Sequence, residues 1–110
     1  MLTLNFTWKN LATIALEAKK KFNVQSLQDI IPLMYVDVEI FELFIREGAG
    51  LETISAARDL ITSTMASGVD FEDVQLMVID ALIAANFYRA KLEEIKKTLL
   101  AEKTPVKSED

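Results

Sequence analysis

The side chains able to do chemistry in this chain are few, and their spacing limits what they can do. Cysteine and histidine are both absent. Thiolate nucleophiles, disulfides, thiolate zinc sites, imidazole acid–base catalysis and His-ligated metals are therefore excluded. Carboxylates, lysines, hydroxyls and tyrosines remain. Two sets of carboxylates are closely spaced: Glu39 with Glu42, and Asp70 with Glu72 and Asp73. A di-metal carboxylate bundle needs inward-facing Glu-x-x-His pairs, which a chain without histidine cannot supply. The first set reads as the solvated face of a helix, and the second as acids at the positive end of a helix dipole. Asp80 stands apart, inside the most apolar stretch, Val74 to Tyr88. Left unpaired in a core it would cost on the order of several kcal/mol. It is expected to pair with Arg58 or Arg46, or to lie on a wet strip of its helix. Its alternative, an acid–base role with Tyr88 or a lysine, is the one enzymatic candidate. Gly48-x-Gly50 lacks the preceding strand and the third glycine of a phosphate-binding loop. The expectation is a non-enzymatic protein with no catalytic or metal-ligating residues and no cofactor.

With 110 residues and 12.4 kDa, the chain suits one domain with one modest core. It is 51% hydrophobic with a mean hydropathy of +0.21, and its 3 glycines and 2 prolines argue against a many-turned β fold. The net charge of −5 is unevenly spread. Residues 1–21 carry Lys9, Lys19, Lys20 and Lys21 against Glu17, whereas residues 22–88 carry only Arg46 and Arg58 against the acids. That acidic middle would repel phosphates, so no nucleic-acid partner is expected. Lys19–Lys21 reads as a match to a helix C-terminal dipole. No basic region precedes the apolar N-terminus as in a signal peptide. The apolar window is shorter than the roughly 18–20 residues a bilayer requires. No membrane association and a cytoplasmic location are expected.

The elements that would position these groups are helices. Leu2, Leu4 and Phe6 alternate with polar residues and could form a short N-terminal strand. Thr7 is a candidate N-cap, with Phe6 and Leu11 as a hydrophobic staple, for a helix from Trp8 to Phe22. Ser26-Leu-Gln-Asp29 matches a capping box and opens a short helix, with Pro32 forcing a kink or an end near Tyr35. Asp37, with a Val36–Phe41 staple, caps a helix over Val38–Glu47. Ile40, Phe41, Phe44 and Ile45 face one way there, and Glu39 and Glu42 the other. Gly48-Ala-Gly50 ends it. Thr53 or Ser55 caps a helix to Ser67, stopped by Gly68. Asp70, with Asp73 as box partner and a Val69–Val74 staple, starts the last helix.

That last helix is expected to run unbroken from about Phe71 to Ala101. Phe71, Val74, Val78, Ala81, Ala85, Tyr88, Leu92, Ile95 and Leu99 keep a heptad-like 3-4 spacing. Before Tyr88 the helix is apolar on a second face too, as in a core helix. Beyond it only the narrow seam remains, suited to a second helix from this chain or from a partner, and Glu93–Lys97 forms an i,i+4 pair. The fold class is therefore all-α: a five-helix single domain over residues 1–101 with a long C-terminal helix, followed by a polar tail over 102–110.

Met34, Tyr35, Phe41, Phe44, Met65, Met77, Phe87 and Tyr88 exceed what so small a core needs. Each alone reads as core. As a set they predict a surplus that serves self-association or a partner groove. The residues assigned to protein binding are Phe41, Phe44, Tyr88, Leu92, Ile95 and Leu99.

This layout carries a resemblance. Leu4-Asn-Phe-Thr-Trp-Lys-Asn-Leu11 resembles the opening of phage tail assembly chaperones, in which a short apolar strand leads into the first helix. Ser26-Leu-Gln-Asp-Ile-Ile-Pro-Leu33 looks like their second short helix, and Phe41-Glu-Leu-Phe-Ile-Arg-Glu-Gly48 is similar to their third. Ser55-Ala-Ala-Arg-Asp-Leu-Ile61, Gly68-Val-Asp-Phe-Glu-Asp-Val74 and Ala81-Leu-Ile-Ala-Ala-Asn-Phe87 continue the pattern. The likeness spans about residues 2–90 and rests on helix lengths and breakpoints. The N-terminus departs from it, being too short for the fuller β-hairpin of some members. The resemblance implies a chaperone that binds the helical tape measure protein and keeps it soluble in the host cytoplasm during tail assembly. It also implies self-association and, through a frameshifted longer product, contact with tail tube protein. The alternative is a structural helical adapter holding a dedicated partner in a stable coiled coil or oligomer.

Overall fold

A computed structural model describes residues 2–23 and 37–103. The expected helix begun by Ser26, its Pro32, the Val36 half of the second staple, and Met34 and Tyr35 lie outside the described residues. Within them the chain is all-α, with five helices: α1 (Trp8–Phe22), α2 (Val38–Gly48), α3 (Ile54–Ala66), α4 (Phe71–Ala84) and α5 (Arg89–Lys103). α2 is the hub, packing against α1, α3 and α4, while α5 packs against α4.

The helix starts follow local side-chain chemistry. The Thr7 hydroxyl oxygen accepts from the Asn10 backbone N–H, and the Asn10 side-chain oxygen Oδ1 accepts from the Thr7 N–H, closing a capping box. Asp37 accepts from the Glu39 and Ile40 N–H groups. Thr53, rather than Ser55, caps α3 by accepting from Ala56. Asp70 accepts from Glu72. The Phe6–Leu11 and Val69–Val74 staples both join the core cluster.

α2 ends in a Schellman motif. The Leu51 N–H donates to the Arg46 carbonyl at 2.8 Å and the Gly50 N–H to the Glu47 carbonyl at 3.3 Å, with Gly50 at φ 71°. Gly48 is the last helical residue and faces the N-terminal segment. A Cβ there would lie 2.6 Å from Phe6 Cζ, too close for any real side chain, so the position admits only glycine without a shift of Phe6. Residues 2–7 form no strand. Their alternation still holds: Leu2 and Phe6 are buried and Leu4 is half-buried, while Thr3, Asn5 and Thr7 are exposed. The segment is tied to α2 by the Asn5 N–H donating to the Gly48 carbonyl at 2.7 Å and by an edge-to-face contact of Phe6 with Phe44, centroids 6.2 Å apart.

The long C-terminal helix is corrected. α4 stops at Ala84 in a second Schellman motif: the Phe87 N–H donates to the Leu82 carbonyl and the Asn86 N–H to the Ile83 carbonyl. Asn86 takes the left-handed conformation at φ 62°, which asparagine tolerates better than most residues. Leu82 and Phe87 supply the accompanying apolar contact in the core cluster. Tyr88, at φ 44°, completes the reversal, and its carbonyl accepts the first bond of α5, from the Leu92 N–H. α5 then folds back on α4. Leu92 is fully buried, with Ile95 and Leu99 packed against the core. The heptad spacing across residues 71–99 thus belongs to two helices of one hairpin, and the helix expected to cover the seam is this chain's own α4. α5 continues to Lys103.

Candidate functional site

The six residues assigned to protein binding separate by depth. Phe41 and Phe44 on α2 and Leu92 on α5 are core side chains. Ile95 and Leu99 are half-buried against that core. Tyr88, at the hairpin turn, is 40% exposed and lies edge-on to Phe87 with centroids 4.5 Å apart. Phe41 and Phe44 are withdrawn by the breadth of α2's apolar arc. Ile40, Phe41, Leu43, Phe44 and Ile45 are all buried, which leaves only a narrow polar strip. The surface surplus falls elsewhere: Trp8 (77% exposed), Leu16, Val38 (67%), Met65 and Leu100.

Glu42 also departs from expectation. The sequence pattern puts it on a solvated face with Glu39, yet its side chain is 7% exposed. It sits on the narrow polar strip of α2, where α3 closes over it. The Arg58 Nε donates to Glu42 Oε2 at 2.8 Å, and this bond holds the guanidinium above its ordinary pKa. Glu42 Oε1 has no hydrogen-bond partner among the described residues. A buried acceptor left unpaired costs about 1–3 kcal/mol, and more when charged. The sequence signal that could have revealed this is Leu43, an apolar residue on the far side of the polar strip, which shows that strip to be flanked by core on both edges.

Glu42 forms part of the wall of an open cleft of about 290 Å³. Val38 and Phe41 of α2, Ile61 and Thr62 of α3, Arg58, and Phe71 at the start of α4 supply the rest. Phe41 and Phe71 meet edge-to-face with centroids 5.1 Å apart, giving the cleft an aromatic back. Exposed Val38 forms its rim. A smaller hollow of about 160 Å³, between Phe22, Leu43 and Ile54, lies on the other side of Glu42. A third hollow, of about 200 Å³, lies between Trp8 and Leu11 of α1 and the 85–87 turn.

Asp80 takes the wet-strip alternative. It is exposed and pairs with Lys96 at 2.7 Å across the α4–α5 hairpin. The expected partners Arg58 and Arg46 are engaged elsewhere. Arg46 joins Glu17 of α1 and Glu47 of α2, and Asn10 donates to the same Glu47 at 3.3 Å. Glu93 pairs with Arg89 at 3.3 Å, in place of the expected Lys97. Among the described residues, no group of three or more acids is placed to hold a metal ion, and no helix is long and apolar enough to cross a membrane.

The cleft between α2 and α3 is thus an apolar trough whose wall carries the Glu42–Arg58 ion pair and the Thr62 hydroxyl. Compared with known proteins, the chain matches no family model, no curated sequence and no solved structure.

Proposed function

We propose that this chain is a tail assembly chaperone that captures amphipathic helices of a tape measure protein and holds them soluble in the host cytoplasm. The observation that carries this reading is the open apolar cleft between α2 and α3, rimmed by exposed Val38. An amphipathic helix presents large apolar side chains at i, i+3, i+4 and i+7, and a groove of this kind is how such faces are bound. Trp8, Leu16 and Met65, exposed on α1 and α3, add apolar surface outside the cleft and favour self-association. The resemblance of residues 2–90 to this family supplies the client's identity, and contact with tail tube protein through a longer product belongs to the same reading. The seam at Tyr88, Leu92, Ile95 and Leu99 is the contact surface expected for the chaperone itself, and the adapter alternative needs the same last helix free. With Leu92 buried against α4, no specific observation favours it.

Co-expression with the tape measure protein tests the proposal. The soluble fraction of the client rises with the wild-type chain and falls back with Val38→Asp, a substitution at an exposed position that leaves the fold intact. A client equally insoluble with and without the wild-type chain overturns the reading.

A further inference from the structure

Trp8 and the cleft between α2 and α3 are two open surfaces of matching chemistry. Trp8 is the chain's single tryptophan and, at 77%, the most exposed large apolar side chain among the described residues. It stands at the start of α1, beside the Thr7 cap. There it borders the hollow at the 85–87 turn and takes no part in the α2–α3 cleft of its own chain. We propose that Trp8 of one copy inserts into the α2–α3 cleft of another, so that the chain self-associates head to tail.

The cleft offers what an indole needs. Phe41, Phe71 and Ile61 give it an apolar, partly aromatic wall. Arg58 is 59% exposed at the same wall, and Glu42 holds it by its Nε edge. A face of the guanidinium is left for a ring, and tryptophan is the ring that cations prefer. The exposed Thr62 hydroxyl is an acceptor for the indole N–H, which a buried tryptophan usually pairs. Charge selects a second copy and sets its direction. Lys9, Lys19 and Lys20 are exposed on the helix that carries Trp8. Exposed Glu39, Asp59, Asp70 and Glu72 each sit one residue from a side chain of the cleft wall. An α1-on-α1 dimer would set lysines against lysines, and a cleft-on-cleft dimer acids against acids. Only α1 on cleft brings opposite charges together. The two surfaces differ, so the contact is heterologous, and each added copy leaves one Trp8 and one cleft open until a ring closes. One aromatic anchor covers roughly 150–250 Å², so the contact is weak, with a Kd of about 10 µM to 1 mM. The contact does not depend on the cleft being a client groove. Where both hold, client helix and second copy compete for one trough.

The test uses the full chain, whose single tryptophan reports on its own surroundings. Emission, iodide quenching and light scattering are followed together up to about 1 mM protein. As scattering mass grows, Trp8 emission should shift to the blue and its quenching should fall. A mixing experiment then fixes the pairing. Trp8→Ser removes the anchor and keeps the cleft. Thr62→Arg, at an exposed helical position, fills the cleft and keeps the anchor. Each variant alone should stay monomeric. Mixed, they should form a dimer that grows no further, with the one remaining tryptophan shifted to the blue. A wild-type chain that stays monomeric throughout overturns the proposal. So does association that leaves Trp8 emission and quenching unchanged, or association that survives in Trp8→Ser alone. A mixture of two folded variants that stays monomeric overturns the head-to-tail pairing. If either variant fails to fold, the wild-type series still decides whether Trp8 is the anchor. No client is present in these measurements, so their failure leaves helix capture standing, and a failure of helix capture leaves the self-contact standing.

Discussion

Arg46 donates to both oxygens of Glu17 and to one of Glu47, and its side chain is only 12% exposed. Removing it would leave two half-covered acids facing each other across the α1–α2 contact. Exposed pairs contribute under about 1 kcal/mol and fully buried ones cost about 3–5 kcal/mol when one partner is lost. Arg46→Ala is therefore expected to cost about 2 kcal/mol in urea unfolding, with Arg46→Lys recovering less than half because an ammonium cannot reproduce the fork. The hydrogen bonding it donates to Glu17 raises the guanidinium's pKa. A cation whose pKa is raised on folding contributes in full below its unfolded value and loses the contribution only as pH rises through the folded one. The Arg46 contribution should thus be constant across neutral pH and, on the alkaline side, fade only in strong alkali. Gly48→Ala is a second residue-scale expectation. Its Cβ would press on Phe6 and should cost about 1–3 kcal/mol, and a neutral result would mean that the N-terminal segment is not packed there. At this scale the caps at Thr7, Asp37 and Asp70 were legible because each needs only a side chain two or three residues from its target. The burial of Glu42 was not, because it depends on α3, a separate element, closing over it.

Among the helices, the least expected feature is the break at residues 85–88. Val74 through Leu99 keeps one apolar spacing, and periodicity alone cannot distinguish one long helix from two helices that pack on each other. What decides the matter is a pair of local conformations: Asn86 and Tyr88 both at positive φ, with the Phe87 and Asn86 N–H groups closing back on Leu82 and Ile83. Asn86 was visible in the sequence as an interruption of the apolar run. Its capping role depends on Phe87 reaching the core beside Leu82. The break makes a prediction opposite to that of a continuous helix. Asn86→Leu raises helix propensity, so in an unbroken helix it would stabilise. In the hairpin it forces a branched side chain into the left-handed region and should cost about 1–2 kcal/mol, while Asn86→Gly should be nearly neutral. Denaturant midpoints of the two variants, measured together, decide between the architectures. The Asp80–Lys96 pair that spans the hairpin is exposed, and Asp80→Asn should shift the midpoint by under about 1 kcal/mol.

For the whole molecule, α2 and the α4–α5 hairpin consume the apolar residues that the sequence offered as a sticky surface, and other residues take their place outside. Leu92, Phe41 and Phe44 are fully or almost fully buried, so Leu92→Asp places a charge in the core and should destabilise by about 4 kcal/mol or more, reporting on folding and not on binding. Two of the exposed set, Trp8 at 77% and Leu16 at 56%, lie on α1, which also carries Lys19, Lys20 and Lys21 in its last turn. That helix joins apolar surface to positive charge on a molecule whose net charge is −5, so it can meet the acidic remainder of another copy with complementary potential. Light scattering across a concentration series should show association that grows with concentration and weakens with salt. Trp8→Ser with Leu16→Ser should reduce it while moving the unfolding midpoint by under about 1 kcal/mol, because substitutions at exposed sites away from caps and ion pairs are nearly silent in stability. Association that survives the double substitution would place the self-contact at another surface. A chain that stays monomeric at every concentration would leave α1's face free, and the cleft between α2 and α3 would then have to account for all of the protein's binding.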